Sequence, residues 1–94
     1  MDVDFSIIYH KFVVKEDIPK LSTKDKERIS SAILEKLSVK PEIFGKPLRR
    51  QLKGYRKLRV GDYRIIFRIE KKTVKIFYIG HRSVAYRQTF SRMP

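Results

Sequence analysis

Three basic side chains share one face of a predicted β-hairpin. The segment GYRKLRVGDYRIIFR (54–68) contains five Arg or Lys residues and the alternation of a strand pair. If Gly61 and Asp62 form its turn, Arg59 lies opposite Arg64, and Lys57 lies on the same face. Like charges that face each other destabilise a sheet by some tenths of a kcal/mol. The pattern therefore predicts an anion on this face, and side chains that extend into solvent are the alternative.

Phosphate is the anion that these residue types suit. Arg presents a planar fork that binds two phosphate oxygens, and Lys supplies a point charge. Two-metal phosphoryl chemistry needs clustered carboxylates, and the basic half of the chain offers only Asp62 and Glu70. A two-imidazole ribonuclease needs paired histidines, and the two present, His10 and His81, are far apart in sequence. No metal site is predicted, and His81 is expected to be structural or to contact RNA.

Cleavage of RNA by its own 2′-hydroxyl remains compatible with these residues. Cationic donors can stabilise the doubly charged transition state that forms at phosphorus. A lysine among arginines is a candidate general base, because nearby positive charges favour its neutral form. A tyrosine could stack on a base and hold the nucleotide open for in-line attack.

The composition describes one small, strongly basic domain. The 94 residues predict a single domain over 1–94. The chain has no cysteine and no apolar run near the roughly 18 residues that cross a bilayer, so we expect a cytoplasmic protein without a membrane partner. The net charge is +13, which favours a polyanionic partner. A soluble Lys-rich protein without such a partner is the alternative.

The basic residues are concentrated in one part of the chain, which favours nucleic acid as the partner. Residues 46–68 contain nine Lys or Arg and one acid, Asp62, whereas both signs are mixed over 15–36. The residues expected to contact RNA are Arg49, Arg50, Lys53, Tyr55, Arg59 and His81.

The N-terminal half predicts one strand and two helices. VDFSIIYH (3–10) has the apolar and β-branched residues of a strand. KFVVKEDIPKL (11–21) predicts a short or kinked helix, because Pro19 interrupts a longer one. Apolar residues at four-residue steps predict a helix over about 23–38, with Ser22 as its N-cap. The prolines and the glycine that follow indicate a loop.

The C-terminal half predicts three antiparallel strands and a short helix. Gly61 and Asp62 suit a type II′ turn, and a second turn is expected near Lys71 and Lys72. The helix is expected to begin at Ser83 and then fray. The predicted fold class is α+β, a small antiparallel sheet of about four strands with the two N-terminal helices on one face.

The two faces of the predicted sheet differ in chemistry. The face toward the helices carries Leu58, Val60, Tyr63, Ile65, Phe67, Ile69, Val74, Ile76 and Tyr78. The other face is open and cationic, with an apolar floor of Ile66, Phe77 and Ile79. This floor suits an acidic amphipathic segment that folds on binding. The alternative is that the C-terminal tail covers the floor, with Phe90 packed over it.

These strands resemble a known family. LKGYRKLRVGDYRIIFRI and KIFYIGHRSVAY are similar to segments of RelE-type toxins in the RelE/ParE superfamily, and the likeness covers nearly the whole chain. LRVGDYRIIF and IGHR are its most specific parts. The resemblance implies an endoribonuclease that cleaves messenger RNA in the ribosomal A site without a cofactor. It also implies a cognate acidic, RelB-like antitoxin, for which the apolar floor is the expected docking site, and operator DNA bound through the antitoxin complex.

The resemblance implies roles for individual residues. Lys57 matches a general base or charge stabiliser, and Arg64 matches the residue that stabilises the phosphate in the transition state. Arg82 matches an arginine that assists the leaving oxygen, Tyr86 a tyrosine that stacks on a base, and Arg59 a further basic position. A solvated arginine at 82 and a tyrosine at 86 that packs the tail on the sheet are the structural alternatives.

One departure from the family pattern leaves other functions open. The best-known member has a second lysine two residues before the first, where this chain has Tyr55. Activity could therefore be weaker, and a non-enzymatic module that binds RNA or completes a repressor complex remains an alternative. A ParE-like toxin that poisons DNA gyrase is another. The joint presence of Lys57, Arg64, Arg82 and Tyr86 argues against the gyrase poison.

Overall fold

Five strands form a mixed sheet in a computed structural model that describes residues 4–94. Val3, which was predicted to begin the first strand, lies outside the described residues. The strands are β1 (Ser6–Tyr9), β2 (Lys46–Pro47), β3 (Tyr55–Val60), β4 (Tyr63–Glu70) and β5 (Thr73–His81). Their spatial order is β1-β5-β4-β3-β2.

The predicted α+β fold class is confirmed, with two differences in the sheet. The sheet has five strands because the short β2 pairs with β3, and it is mixed because β1 runs parallel to β5. Parallel neighbours need a crossover connection, which the intervening helices provide. A two-residue strand such as β2 has too little alternation to be recognised from sequence.

The helical segments follow the order that the sequence predicts. A π-helical turn (Val13–Asp17) and a 3₁₀ turn (Ile18–Lys20) form the expected short, interrupted helix. Helix α1 (Thr23–Ala32) continues into a π-helical turn (Ile33–Leu37), as expected for about 23–38. Among residues 4–94, no helix is long and apolar enough to cross a membrane.

Local capping explains where two of these helices begin. The Ser22 hydroxyl accepts the Asp25 N–H at 3.1 Å, which confirms Ser22 as the N-cap of α1. A short helix α2 (Pro41–Phe44) replaces part of the predicted loop. Proline suits the first helical position because that position needs no intrahelical N–H donor.

The main core lies between these helices and one face of the sheet. The hairpin register is as predicted, with Leu58 opposite Ile65 and Arg59 opposite Arg64. Gly61 has φ +60° and Asp62 does not have positive φ, as a type II′ turn requires. The buried residues of this core are Val13, Leu21, Ile29, Ala32, Ile33, Leu37, Leu58, Ile65, Phe67, Val74, Ile76 and Ile79.

A β-bulge in β5 changes which side chains face the main core. The pairing with β4 skips from Ile76 to Tyr78, so Phe77 is an extra residue. Beyond the bulge the alternation is inverted, and Ile79 packs in the main core while Tyr78 packs on the opposite face. The predicted positions of Tyr78 and Ile79 were therefore wrong, because simple alternation cannot register an inserted residue.

Helix α3 (Ala85–Arg92) covers the face that was predicted to be open. Ile66 is 0% exposed and Phe77 is 1% exposed, in a second core that also contains Tyr55, Tyr78 and Ala85. The prediction of an exposed apolar floor is therefore wrong, since α3 shields Ile66 and Phe77 and the bulge places Ile79 in the main core. Cover by the C-terminal segment was the stated alternative, but Phe90 remains exposed and is not the residue that provides it.

A buried ion pair fastens the end of α3 to the sheet, so the helix does not fray. Arg92 donates to the two Asp17 carboxylate oxygens at 2.6 and 2.9 Å, and to the Phe77 carbonyl at 2.9 Å. The Ile79 N–H donates to Asp17 at 3.0 Å. Because β1 pairs with β5 only as far as Ile76, these side chains satisfy the backbone groups at the open strand edge. The hydrogen bonds to Asp17 raise the pKa of the Arg92 guanidinium.

Candidate active site

A cationic cleft of ≈ 560 Å³ opens between α3 and the segment 46–52. Its lining contains five basic residues and no acidic one, together with two aromatic rings. A positively charged groove with aromatic side chains is the usual arrangement for binding a single-stranded nucleic acid. The charged and aromatic lining residues are Lys46, Arg49, Arg50, Lys57, Arg87, Tyr86 and Phe90.

Lys57 and Tyr86 meet in this cleft although they are 29 residues apart in sequence. The Lys57 ammonium donates to the Tyr86 hydroxyl at 2.9 Å, and it lies 5.6 Å from the centre of the Tyr86 ring. Tyr86 is 46% exposed, so its ring remains accessible. Since Lys57 donates, the phenol O–H can still donate to a ligand.

Two arginines extend the cationic surface from Lys57 toward the hairpin turn. Arg59 follows Lys57 by two residues on β3 and therefore shares its face, and Arg64 is its partner on β4. The Arg64 guanidinium donates to the Gly61 carbonyl at 3.0 Å and to the Tyr63 carbonyl at 2.9 Å. Among residues 4–94, no carboxylate lies within 4 Å of the charged atoms of Lys57, Arg59 or Arg64.

Arg82 lies at the same end of the sheet as the hairpin turn. Its backbone N–H donates to the Asp62 carbonyl at 2.9 Å, and its Nε lies 3.9 Å from the Asp62 carboxylate. Gly80, two residues earlier, pairs with Arg64 across the sheet. Arg82 and Asp62 are both exposed, so this ion pair contributes little to stability and the Arg82 guanidinium remains accessible.

Four predicted RNA contacts do not line the cleft, and one of them, Arg59, lies beside it on the face of Lys57. His81 pairs with Tyr63 across the sheet, and Tyr63 is next to Arg64 on β4. Because neighbouring residues of a strand point to opposite faces, His81 faces away from the side that carries Arg64. Lys53 is exposed but does not line the cleft. Tyr55 is 3% exposed and contacts Phe77 edge-to-face, with ring centroids 5.0 Å apart. Its predicted direct contact with RNA is wrong for this conformation, because α3 and the sheet enclose the ring.

Three charged or aromatic residues of the cleft were missed from sequence. Lys46 and Arg87 line it, but neither belongs to the strand pattern that guided the prediction. Phe90 was considered only as an alternative cover for the apolar floor, whereas it is exposed in the cleft. The spacing of Tyr86 and Phe90 is the signal that could have revealed it, because residues four apart share one face of a helix.

No metal site accompanies the cleft in the described part of the chain. Within residues 4–94, no group of three or more His, Cys, Asp or Glu side chains is arranged to hold a metal ion. The groups available for chemistry in and beside the cleft are therefore a lysine, several arginines and a tyrosine. Such groups can bind phosphate, stabilise developing negative charge and stack on a base.

Comparison with protein families identifies the class to which this fold and cleft belong. Residues 5–86 match the family described as the ParE toxin of type II toxin–antitoxin system, parDE. The chain belongs to the RelE/ParE superfamily of toxins from type II toxin–antitoxin systems, which confirms the resemblance seen in its strands.

Two curated relatives come from Mycobacterium tuberculosis (strain ATCC 25618 / H37Rv). Toxin RelG is 43% identical over 67 residues, which are 65% of this chain and 77% of the relative. Toxin RelE is 39% identical over 67 residues, which are 65% of this chain and 69% of the relative.

Solved structures share the fold. The toxin–antitoxin complex RelBE2 from Mycobacterium tuberculosis contains a chain with TM-score 0.78 and 30% identity, and the match covers 88% of this chain and 97% of that one. YafQ from E. coli matches with TM-score 0.55 over 85% of this chain and 96% of its own. At 17% identity, YafQ supports the fold alone.

Proposed function

We propose that this chain is a ribosome-dependent endoribonuclease that cleaves messenger RNA in the A site. The observation that supports it most is the 2.9 Å hydrogen bond between Lys57 and Tyr86 inside a cleft that carries only positive charge. This hydrogen bond joins a candidate proton-transfer group, Lys57, to the exposed Tyr86 ring, on which a nucleobase could stack. The sequence similarity to Toxin RelG and Toxin RelE adds support. So does the resemblance of the strand motifs that carry Lys57 and Arg64 to those of RelE-type toxins.

The proposed reaction uses the 2′-hydroxyl of the substrate as its nucleophile. The 2′-oxygen attacks the adjacent phosphorus, and the bond from phosphorus to the 5′-oxygen breaks. The products are a 2′,3′-cyclic phosphate and a 5′-hydroxyl. The 2′-hydroxyl gives one proton to a base, the leaving 5′-oxygen takes one from water, and the hydroxide left by that water takes the proton back from the base. The reaction is therefore balanced without a metal or other cofactor.

Each group is proposed to have one role, as the family resemblance implies. Lys57 receives the 2′-hydroxyl proton when it is neutral, or stabilises the transition state when it is charged. Arg64 holds the non-bridging phosphate oxygens, with Arg59 as a further positive charge beside it. Arg82 stabilises negative charge on the leaving oxygen, and Tyr86 stacks on a base so that the 2′-oxygen lies in line with the leaving group.

We also propose a cognate acidic, RelB-like antitoxin as the partner that neutralises the chain, and operator DNA as a target of their complex. Membership in a family of toxins from toxin–antitoxin systems supports the antitoxin, and the charge of +13 suits an acidic partner. Ile66 and Phe77 become accessible to an antitoxin only if α3 leaves the sheet, since α3 packs directly over this second core.

A second candidate function is poisoning of DNA gyrase. The observation in its favour is the description of the matching family, which names a ParE toxin. The two functions differ in target and in chemistry, so they predict different products. Messenger RNA cut at the A-site codon supports the first, and DNA breaks that depend on gyrase support the second.

The test of the proposed activity uses the purified chain and ribosomes programmed with a defined message. We expect cleavage at the A-site codon, and a loss of about 100-fold or more for Arg64→Ala and for Arg82→Ala, since each removes a donor to developing charge. Lys24→Ala, which removes an exposed lysine of α1, is the matched control and should retain activity. An Arg64→Ala, Arg82→Ala double variant with full activity would defeat the site assignment.

A further inference from the structure

Phe90 is an exposed aromatic residue on a helix that otherwise packs closely on the sheet. The buried side of α3 consists of Ala85, Thr89 and Arg92, whereas Phe90 is 55% exposed. A single exposed ring is ordinary on a protein surface. This ring, however, lines the same cleft as the exposed ring of Tyr86. Two accessible rings in one cationic cleft indicate two places where a base could stack.

The spacing of the two rings suits neighbouring nucleotides in an open strand. Tyr86 and Phe90 are four residues apart, so they lie on one helix face and about 6 Å apart along its axis. The repeat along a stacked strand is only about 3.4 Å per nucleotide. A strand that uses both rings must therefore separate its bases. Separation of adjacent bases is also what in-line attack by a 2′-hydroxyl requires.

The charges around Phe90 favour a nucleic acid over a peptide as the occupant. Arg87 neighbours Phe90 on α3, and Arg49 and Arg50 face it from the opposite wall of the cleft. Arg50 has φ +56°, a conformation that few residues other than glycine adopt and that often occurs at functional sites. A nucleic-acid strand carries one phosphate and one planar base per nucleotide, so phosphates can pair with the arginines while bases cover the rings.

We propose that Phe90 is a second base-stacking residue and that it forms, with Arg87, a subsite for the nucleotide next to the one on Tyr86. The subsite deepens the proposed function and rests on it for the identity of the strand as messenger RNA. The occupancy itself requires only a single-stranded nucleic acid. Binding and cleavage can therefore be tested separately.

The test measures binding of short RNAs that carry one 2-aminopurine at successive positions and lack the 2′-hydroxyl at the labelled pair. We expect the wild-type chain to quench the fluorescence at two adjacent positions, because a stacked base is quenched. Phe90→Ala should weaken binding by about tenfold and restore fluorescence at one position, and Tyr86→Ala should do so at the neighbouring one. Phe90→Trp should keep both the affinity and the quenching.

A matched control removes another exposed phenyl ring. Phe44→Ala alters an exposed ring of α2 that does not line the cleft, and it should bind and quench as the wild type does. Unchanged affinity and quenching in Phe90→Ala would overturn the proposal. The absence of quenching by the wild-type chain would also overturn it. So would tighter binding of an acidic peptide than of RNA, if Phe90→Ala abolished the binding of that peptide.

The outcomes separate this subsite from the proposed activity. Quenching at two adjacent positions that depends on Phe90, without cleavage on programmed ribosomes, would uphold the subsite and reject the endoribonuclease. Cleavage on ribosomes with wild-type rates and affinity in Phe90→Ala would uphold the endoribonuclease and reject the subsite.

Discussion

The contact between Lys57 and Tyr86 joins the sheet to the C-terminal helix at the point where chemistry is proposed. The two side chains reach the same cleft from β3 and α3 and meet at 2.9 Å. Arg59 and Arg64 lie on the same face, with no carboxylate within 4 Å in residues 4–94. Like charges on one face repel one another, so we expect a phosphate bound there to stabilise this arrangement.

The hydroxyl of Tyr86 can be tested apart from its ring. Tyr86→Phe keeps the stacking surface and removes the hydrogen bond to Lys57, so we expect near-normal RNA affinity and a cleavage rate about tenfold lower. Tyr86→Ala also loses stacking and should lower both affinity and rate. Single-turnover cleavage on ribosomes and fluorescence anisotropy measure the two effects. Tyr9→Phe, at another exposed tyrosine, is the control, and equal rates in both Phe variants would contradict the assignment.

His10 makes stability depend on pH. Its pKa is lowered by burial, and further by the positive charges of Arg92, Lys75 and Lys11. Below about pH 6.5 the unfolded chain takes up a proton at this residue, while the folded chain resists it. The free energy of unfolding should therefore decrease as the pH falls from 7 to 5.

Chemical unfolding at pH 7 and pH 5 measures this dependence. We expect His10→Gln to lose less stability than the wild type over this interval, because it removes the histidine whose pKa the fold lowers. His81→Gln changes the other histidine and is the matched control. The same pH dependence in His10→Gln and in the wild type would contradict the assignment.

At the scale of elements, α3 carries the two rings of the cleft and is fastened by a single buried ion pair. Asp17 and Arg92 lie 75 residues apart in sequence and close the open edge of β5 beside the bulge. Removal of one partner of a buried pair leaves an uncompensated charge. The ion pair therefore stabilises both the fold and the helix that presents Tyr86 and Phe90.

Arg92→Met should lower the free energy of unfolding by about 3–5 kcal/mol, because the Asp17 carboxylate would remain buried without a partner. Denaturant unfolding measures the change. Arg87→Met substitutes an exposed arginine of the same helix and should change stability by no more than about 0.5 kcal/mol. Similar losses in the two variants would show that the ion pair is not the main anchor of α3.

The sequence predicts those elements whose signals are local. The turn at Gly61 and Asp62 determines the register of β3 with β4, and therefore the common face of Lys57, Arg59 and Arg64. The bulge at Phe77 could not be predicted, because an extra residue within a continuous apolar run does not change the hydrophobic pattern of the sequence.

Long-range contacts were also beyond prediction. The parallel pairing of β1 with β5 and the cover that α3 provides depend on contacts between the two ends of the chain. The buried ion pair between Asp17 and Arg92 is such a contact, and neither residue was predicted to be buried. The candidate site residues on regular strands and Tyr86 could be proposed from sequence, whereas the burial of Tyr55 and the exposure of Phe90 depend on the position of α3, which the sequence does not give.

At the scale of the whole molecule, the net charge of +13 should make the proposed RNA binding depend on salt. If the five basic residues of the cleft each neutralise one phosphate, a plot of log affinity against log salt concentration should have a slope of about −3.5. Arg49→Gln with Arg50→Gln should reduce the size of this slope by about 1.4. Titrations of single-stranded RNA at several salt concentrations measure it.

A pair of substitutions on α1 provides the control for charge alone. Lys24→Gln with Lys26→Gln gives the same change in net charge away from the cleft, and it should leave the slope unchanged. Equal reductions in both double variants would show that the RNA responds to the overall charge and not to the cleft.

Cleavage of a message with one altered ribose tests the central claim most directly. The claim is that Lys57, Arg64, Arg82 and Tyr86 act together on RNA through its own 2′-hydroxyl. Ribosomes are programmed with two messages that differ only by a 2′-deoxyribose on the 5′ side of the scissile phosphate. The account predicts that the all-ribose message is cut to a 2′,3′-cyclic phosphate and a 5′-hydroxyl, and that the deoxy message stays intact. Cleavage of the deoxy message, or an uncut all-ribose message on ribosomes that bind the protein, would contradict it.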